Sequence, residues 1–171
     1  MFAWIYKFLD KPVPYYAKYP LWLILWKPLR KFLNVVIISN IPFNNLRVML
    51  YRLIGFKIGK GTFIGMKCYM DDMEPALTII GNNVTISYRC VFAIHGKRQR
   101  HTPITIEDSV YIGAGTVLFS GKNGITIGKN AIIGGGGVVV SSIPPNAVAV
   151  GNPAKVIRID QQNSEAGSHI W

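Results

Sequence analysis

Three histidines are the side chains of this sequence best suited to proton transfer near neutral pH, because the ordinary pKa of an imidazole lies there. They are His95, His101 and His169. A general base also needs a fixed position beside its substrate, and a histidine without one is more often structural or solvated. The elements around each histidine therefore decide which of them is a candidate base.

Two cysteines, Cys68 and Cys90, are the other reactive side chains to consider. Two are too few for a disulfide framework. We expect both to be buried free thiols that fill space, with a disulfide between them as the alternative. Neither is a candidate nucleophile.

A repeat of eighteen residues supplies the elements that would position these side chains, with large apolar residues at every sixth position. The four sets of three are Ile58, Ile64 and Met70; Ile80, Ile86 and Phe92; Ile106, Ile112 and Leu118; and Ile127, Ile133 and Val139. Four positions after the first two members of each set stands a small or β-branched residue: Thr62, Cys68, Val84, Cys90, Val110, Thr116, Ala131 and Gly137.

This pattern predicts a mainly β solenoid of triangular cross-section, with one short strand and one corner per hexapeptide and four stacked coils. Glycine directly follows six of the twelve large residues, where we expect it to ease the bend. Insertions of four, eight and three residues follow the third strand of the first three coils. All three leave along one edge of the prism, and repeat proteins often bind ligands on the side that carries insertions.

The longest insertion begins next to His95, where a rigid coil gives way to a loop. This position makes His95 the candidate general base. His101 lies inside the same insertion and is a candidate for an accessory role only. His169 lies in a polar tail, residues 160–171, that we expect to fray.

Charged residues on the same edge are weaker candidates for contacts with a substrate. Asp71 and Asp72 lie in the first insertion and could bind hydroxyl groups. Lys97 and Arg98, with Arg100, follow His95 and either attract an anionic substrate or form a solvated loop face.

Residues 1–57 differ from the rest of the chain, which divides into a repeat at 58–159 and the tail. Half of the 171 residues are hydrophobic, which excludes a globally disordered chain. Residues 1–57 carry nine Lys and Arg against one acidic residue, and 13 of the 20 aromatic residues. We expect short helical pieces here, one of them at residues 46–55 capping the first coil.

The basic and aromatic character of residues 1–57 favours an anionic membrane surface as their partner. The alternative is that these aromatic residues pack within the protein. We expect no signal peptide, because the first ten residues lack a basic region followed by a clean apolar stretch. We also expect no membrane span, because the longest uncharged run before residue 58, residues 32–46, is too short and too polar. The predicted location is the cytoplasm, with peripheral attachment to the inner face of the membrane. No nucleic-acid recognition module is evident.

The repeat and the chain end resemble the hexapeptide-repeat acyltransferases. The resemblance rests on Ile58-Gly-Lys-Gly-Thr-Phe-Ile-Gly65, Ile112-Gly-Ala-Gly-Thr-Val117, Ile127-Gly-Lys-Asn-Ala-Ile-Ile-Gly134 and the tail Ile143-Pro-Pro-Asn-Ala-Val-Ala-Val-Gly-Asn-Pro-Ala-Lys-Val-Ile157. The tail is similar to that of the sugar O-acetyltransferase branch, which includes the galactoside and maltose acetyltransferases. The resemblance implies a left-handed parallel β-helix, a homotrimer with active sites between subunits, and acetyl-CoA as the acyl donor.

The resemblance also implies roles for individual residues. His95 matches the catalytic histidine, Ala114 and Gly135 match backbone positions that contact the cofactor, and Lys155 and Arg158 match a basic pair at its nucleotide end. We expect a helical turn to place Lys155 and Arg158 on one face. The chain departs from the family at residues 134–137, Gly-Gly-Gly-Gly for Gly-Ala-Gly-Ser, and at residues 140–142, Val-Ser-Ser for Thr-Lys-Asp.

The function that these features predict is transfer of an acetyl group to a sugar hydroxyl of a surface or capsular polysaccharide, or of its lipid-linked precursor. The alternatives are acetylation of a small soluble acceptor (a free sugar, serine or an antibiotic) and a β-helix scaffold without catalysis. A zinc site like that of the γ-class carbonic anhydrases is not expected, because it needs three converging histidines. We therefore predict no metal.

Overall fold

A computed structural model of the chain describes residue 8, residues 21–95 and residues 101–160. Within these ranges, helices precede a series of fourteen short strands. The strands are β1 (Lys57–Ile58), β2 (Phe63–Ile64), β3 (Tyr69–Met70), β4 (Thr78–Ile80), β5 (Thr85–Ile86), β6 (Val91–Ala93), β7 (Ile104–Ile106), β8 (Tyr111–Ile112), β9 (Val117–Phe119), β10 (Ile125–Ile127), β11 (Ile132–Ile133), β12 (Val138–Val139), β13 (Ala147–Val150) and β14 (Lys155–Ile159).

The strands form three sheets that wrap around a single core. The first sheet contains β1, β4, β7 and β10, the third contains β3, β6, β9 and β12, and the second contains β2, β5, β8, β11, β13 and β14. Each strand from β1 to β9 pairs in parallel with the strand three places later, so that three successive strands make one coil. The predicted mainly β solenoid with four coils is confirmed.

A partial fifth coil extends the solenoid beyond the sequence prediction. Ile143 bridges to Ile127 on the first sheet, and β13 adds to the second sheet beside β11. The chain then reverses, and β14 pairs antiparallel with β13. The sequence pattern concealed this coil because Ala149, six positions after Ile143, is small where the repeat elsewhere has a large residue.

The core consists of the repeat residues that the sequence analysis identified. Eleven of the twelve large residues are buried, and Ile58, in the first strand, is partly buried. All eight residues at the small-residue positions are buried beside them. Large side chains that alternate with small ones fill the interior of a narrow prism without voids.

The corners are made by residues with left-handed backbone, three positions after the first two large residues of each coil. They are Gly61, Lys67, Asn83, Arg89, Ser109, Gly115, Asn130 and Gly136, with Asn146 in the partial coil. The glycines that directly follow the large residues have another purpose. A Cβ on Gly59 would lie 2.4 Å from the backbone of Gly81, so the close stacking of coils, and not an easier bend, excludes a side chain there.

Helices account for most of residues 21–53, which precede the coil. Helix α1 (Leu21–Phe32) continues into a π-helical segment (Leu33–Ile37) and a 3-10 turn (Ile38–Asn40), and helix α2 (Asn44–Leu53) follows; a second 3-10 turn spans Pro75–Leu77. Helix α2 packs on the first coil; its bounds are close to those of the helix expected at residues 46–55, and its role as a cap stays a prediction. The buried side chain of Arg47 donates from Nε to the carbonyl oxygen of Ile64 at 2.8 Å, and Arg52 donates to the carbonyl oxygen of Ile58 at 3.0 Å.

The two cysteines occupy equivalent positions in successive coils, and both are buried free thiols, as expected. The thiol of Cys68 donates to the carbonyl oxygen of Ser87 at 3.1 Å, and that of Cys90 donates to the carbonyl oxygen of Gly113 at 3.2 Å. A hydrogen bond with Cys68, together with burial, raises the pKa of the Cys90 thiol above its usual range.

Candidate active site

The pairing of two adjacent coils brings His95 against Asp71. Strands β3 and β6 pair in parallel, with Met70 opposite Phe92, so the residues that follow both strands leave the third sheet at the same edge. Nδ1 of His95 contacts Oδ2 of Asp71 there. The sequence analysis identified His95 but did not identify Asp71 as its partner. Their common signal is that both residues come just after third-sheet strands of neighbouring coils, Asp71 directly after β3 and His95 two residues after β6.

The carboxylate of Asp71 is completely buried and held by backbone groups. Its Oδ1 accepts from the N–H of Met73 at 3.0 Å, and its Oδ2 accepts from the N–H of Ile94 at 3.3 Å. These hydrogen bonds compensate the loss of hydration that burial of a carboxylate otherwise costs. Asp71 is therefore a fixed acceptor that orients the imidazole of His95.

The orientation of His95 leaves one ring nitrogen for chemistry. An ionised carboxylate only accepts hydrogen bonds, so Nδ1 of His95 carries the proton toward Asp71 and Nε2 holds the free lone pair. The His95 side chain is 51% exposed, whereas that of Asp71 is 0% exposed. A half-exposed imidazole with a buried carboxylate behind it is suited to accept a proton from a bound hydroxyl group.

Helix α1 supports this pair from behind. Arg30 donates from Nη2 to the carbonyl oxygen of Asp72, and its Nε lies 3.8 Å from Oδ2 of the same residue. Asn34, which is buried, donates from Nδ2 to the carbonyl oxygen of Met70 at 2.7 Å. The segment 70–72 that contains Asp71 is thus hydrogen-bonded on both sides, to α1 and to the π-helical segment that continues it.

Asp71 and Asp72, which were expected to contact a sugar, do not lie on the exposed surface. Both side chains are buried, Asp71 against His95 and Asp72 against Arg30. Burial raises the pKa of Asp72, and the positive charge of Arg30 partly opposes this effect. The structure therefore favours positioning roles for these two carboxylates. Lys97 and Arg98 lie outside the described residues.

His101 returns close to His95 at the other end of the insertion. The two residues form an antiparallel bridge, and the N–H of Thr102 donates to the carbonyl oxygen of Ile94 at 3.1 Å. Nε2 of His101 is buried without a hydrogen-bond partner within the described part of the chain. Its accessory role stays a prediction. His169 lies outside the described residues.

A second edge of the prism carries the residues expected to contact the cofactor. Ala114 and Gly135 follow β8 and β11 at equivalent, exposed corners of successive coils. The carbonyl oxygen of Ala114 accepts from the N–H of Gly136 at 2.8 Å, and that of Gly151 accepts from the N–H of Val138 at 2.9 Å. The three corners at 114, 135 and 151 thus form a continuous exposed edge, and the sequence analysis did not include Gly151.

The basic pair lies at the end of this edge, on β14. The expected helical turn is absent: Lys155 and Arg158 lie in a strand, with Lys155 opposite Val150 and Arg158 opposite Val148. Residues opposite each other in a sheet point to the same side, and so do residues two apart in a strand. An irregularity in the β13–β14 register therefore keeps both cations on one face, although they are three residues apart. Arg158 also forms an ion pair with Asp160 at 2.7 Å.

Residues 21–95 and 101–160 contain neither a metal-binding cluster nor a membrane-spanning helix. No three His, Cys, Asp or Glu side chains in these ranges come close enough to hold a metal ion. No helix in the same ranges has both the length and the apolar character to cross a bilayer.

Comparisons with known proteins agree with this geometry. The chain is 34% identical to the galactoside O-acetyltransferase of Escherichia coli over 117 residues, which are 60% of this chain and 56% of that protein. It spans little more than half the length of the curated relatives it matches first. No model of a protein family matches the chain.

Solved structures extend the likeness to most of the fold. A hexapeptide-repeat acetyltransferase from Vibrio cholerae superposes with a TM-score of 0.66 at 25% identity, over 84% of this chain and 95% of that one. The same protein has been solved with acetyl-CoA. A maltose O-acetyltransferase from Clostridium difficile gives a TM-score of 0.60 at 27% identity, over 84% of this chain and 90% of that one. The coil is thus the left-handed β-helix that the sequence predicts, and the chain is similar in sequence and fold to the hexapeptide-repeat acetyltransferases.

Proposed function

We propose that the protein is an acetyl-CoA-dependent O-acetyltransferase that acetylates a sugar hydroxyl, with His95 as its general base. The contact between Nδ1 of His95 and the buried carboxylate of Asp71 carries this proposal, because it leaves Nε2 free to accept a proton. The relatives named as galactoside and maltose O-acetyltransferases support the choice of acceptor. The acetyl-CoA complex of the Vibrio cholerae protein supports the choice of donor.

The reaction follows from the chemistry of the two substrates. A sugar hydroxyl is a very weak acid, so it must lose its proton to Nε2 of His95 as its oxygen attacks the thioester carbonyl. Asp71 stabilises the imidazolium that forms. The tetrahedral intermediate then collapses: the carbon–sulfur bond breaks, the sulfur takes the proton from His95, and free CoA thiol leaves as the acetyl ester remains on the sugar.

The exposed corners at 114, 135 and 151 are the proposed binding edge for the donor. These residues are exposed, and a backbone N–H at Ala114 would stabilise the oxyanion of the intermediate. Lys155 and Arg158, on one face at the end of the same edge, would bind the phosphates of the nucleotide. Two observations support this assignment. One is the family resemblance at these residues, and the other is their place along one continuous edge of the surface. The residues are Ala114, Gly135, Lys155 and Arg158.

The two edges also support a homotrimer. His95 follows a third-sheet strand, whereas Ala114 and Gly135 follow second-sheet strands. Within one subunit the base and the donor edge are thus separated by a whole face of the prism. A neighbouring subunit that places its donor edge against His95 would complete the site, and cyclic symmetry would produce three equivalent sites.

The acceptor that we propose is a surface or capsular polysaccharide, or its lipid-linked precursor, acetylated at the inner face of the membrane. The nine Lys and Arg of residues 1–57, against one acidic residue, support peripheral binding to anionic lipid. A free sugar, serine or antibiotic as acceptor, and a scaffold without activity, are the competing functions.

Release of free thiol from acetyl-CoA in the presence of a glycan panel tests this proposal. We expect His95→Ala to lower kcat roughly 10²–10⁴-fold. Asp71→Asn should lower kcat about tenfold or more with little change in the KM for acetyl-CoA, because it removes the carboxylate that holds the imidazole. Lys129→Gln, an exposed change on the coil, is the control.

The outcomes separate the competing functions. Full activity of His95→Ala on a good acceptor would show that the base assignment is wrong. Transfer to free sugars, serine or antibiotics alone would replace the polysaccharide acceptor. Comparison of cell-surface glycans by mass spectrometry, with and without the gene, should reveal the lost acetyl group.

A further inference from the structure

Helix α1 has two faces with different partners. One face holds the segment 70–72 through Arg30 and, in the π-helical continuation, through Asn34, as described above. The other face presents large apolar side chains to solvent, at spacings of three and four residues that place them on one side of a helix. They are Trp22, Leu25, Trp26, Leu29 and Phe32, with Val36 in the π-helical continuation, and we call them the apolar stripe.

The exposure of the apolar stripe is unusual for a folded chain. Trp22 is 65% exposed, Leu25 71% and Phe32 53%. Single exposed apolar residues are ordinary, but a row of six along a helix marks an interaction surface. Two of its members are tryptophans, which favour the boundary between water and lipid.

The charged residues around the apolar stripe indicate what binds to it. Residues 11–70 contain ten Lys and Arg and no Asp or Glu, and Lys27 and Lys31 lie on α1 itself. Lys31 is exposed. A second copy of the chain would bring another basic surface against this one, which like-charge repulsion opposes. Anionic lipid headgroups complement the lysines, while the apolar stripe enters the acyl boundary.

We propose that α1 docks on an anionic bilayer through the apolar stripe and Lys31, and thereby places the His95–Asp71 pair beside the membrane surface. The placement follows from the other face of α1, because the hydrogen bonds of Arg30 and Asn34 to Asp72 and Met70 reach the segment that contains Asp71. A cleft of about 140 Å³ between α1 and that segment is lined by Lys27, Lys31 and Met73, among others. The acceptor class is then a glycan carried on lipid. This last step rests on the proposed function, whereas the docking does not.

Co-sedimentation of the full chain with vesicles tests the docking. We expect binding to phosphatidylcholine vesicles that contain phosphatidylglycerol and much weaker binding to phosphatidylcholine alone. Leu25→Glu combined with Leu29→Glu should lower binding at least about tenfold, because charges replace the centre of the stripe. Lys31→Gln should lower it about fivefold, whereas the matched control Lys129→Gln on the coil should not change it.

Circular dichroism and light scattering on the same variants keep the test specific. An unchanged spectrum and mass for the Leu25/Leu29 variant would assign its loss of binding to the surface itself. Failure of the wild-type chain to bind anionic vesicles overturns the docking. A change of oligomeric mass in that variant, without vesicle binding by the wild type, would make the stripe a contact between copies.

A second arm tests the acceptor class with a glycan that the panel assay has shown to be acetylated. We expect the wild type to acetylate it at least about tenfold faster when it is conjugated to a phospholipid in anionic vesicles than when it is free. The Leu25/Leu29 variant should lose this advantage and keep its rate on the free glycan. Equal wild-type rates would overturn the lipid-borne acceptor. Vesicle binding without acetylation of any acceptor would refute the proposed function and leave the docking intact.

Discussion

The coil and helix α1 differ in the exposure of their large apolar side chains. In the coil, Ile86, Ile112 and Ile133 are completely buried, whereas Trp22 and Leu25 on α1 are mostly exposed. Charge differs as well: residues 1–57 carry nine basic and one acidic residue, and residues 58–171 carry ten basic and seven acidic. The coil buries the large apolar residues of its repeat within itself, because each coil covers the next. Helix α1 has one face on the coil and one that presents large apolar side chains to solvent.

Replacement of one isoleucine in the coil and one leucine on α1 tests this contrast most directly. We expect Ile112→Ala to lower the free energy of unfolding by about 3 kcal/mol, because it leaves a cavity in a closely packed interior. Leu25→Ala should change it by less than about 0.5 kcal/mol. Urea unfolding at a fixed protein concentration measures both. An equal cost for Leu25→Ala would mean that this side chain is buried in the assembled protein.

Lys155 and Arg158 on β14 test whether part of the coil's small positive charge binds the cofactor. Replacement of both Lys155 and Arg158 by Ala should raise the KM for acetyl-CoA about tenfold or more, because two cations near the phosphates are lost. The KM for acetyl-pantetheine, a donor without the nucleotide, should stay unchanged. Steady-state kinetics with both donors measure this difference. An equal rise in KM for both donors would show that Lys155 and Arg158 do not act on the nucleotide.

The contact between the two regions depends on Arg30. Arg30→Ala should lower kcat about tenfold with an unchanged KM for acetyl-CoA, because the segment that contains Asp71 loses its support. Arg30→Lys should restore part of the rate. The matched control is Arg52→Ala, since Arg52 also donates from a helix to coil carbonyl oxygens, at Ile58 and Gly59. An equal effect of Arg52→Ala would reduce the role of Arg30 to general stability.

The smallest expected effect concerns the interior of the coil. Neither Cys68 nor Cys90 should react with an aromatic disulfide reagent in the native protein, because both thiols are buried and the pKa of Cys90 is raised. Both should react after unfolding in guanidinium. Fast labelling of one thiol in the native state would show that the coil opens at that level.

Most of the coil could be predicted because short spacings along the chain specify it. The position of each large residue, such as Ile64 or Leu118, is specified by a six-residue period that only a narrow prism satisfies. The partial fifth coil escaped prediction where Ala149 interrupts that pattern. The strand β14 also escaped, because the spacing of Lys155 and Arg158 suits a helical turn equally well, and only pairing with β13 decides between the two.

The candidate site divides in the same way. His95 could be identified from its residue type and its place at the root of an insertion. Its partner could not, because Asp71 lies 24 residues earlier and in another coil. The sequence analysis assigned Asp71 and Asp72 to the substrate, since exposure of an insertion is the ordinary expectation. The structure instead buries both carboxylates beneath helix α1.

The amino-acid sequence by itself determined the period, the chemical contrast between the two regions and the identity of the candidate base. These depend on residue types and short spacings along the chain. The tertiary structure decided which carboxylate orients His95, which helix holds that carboxylate, and which apolar residues of α1 stay exposed. Contacts of this kind depend on how distant segments stack, and stacking is specified by the packing of whole coils and not by any short motif.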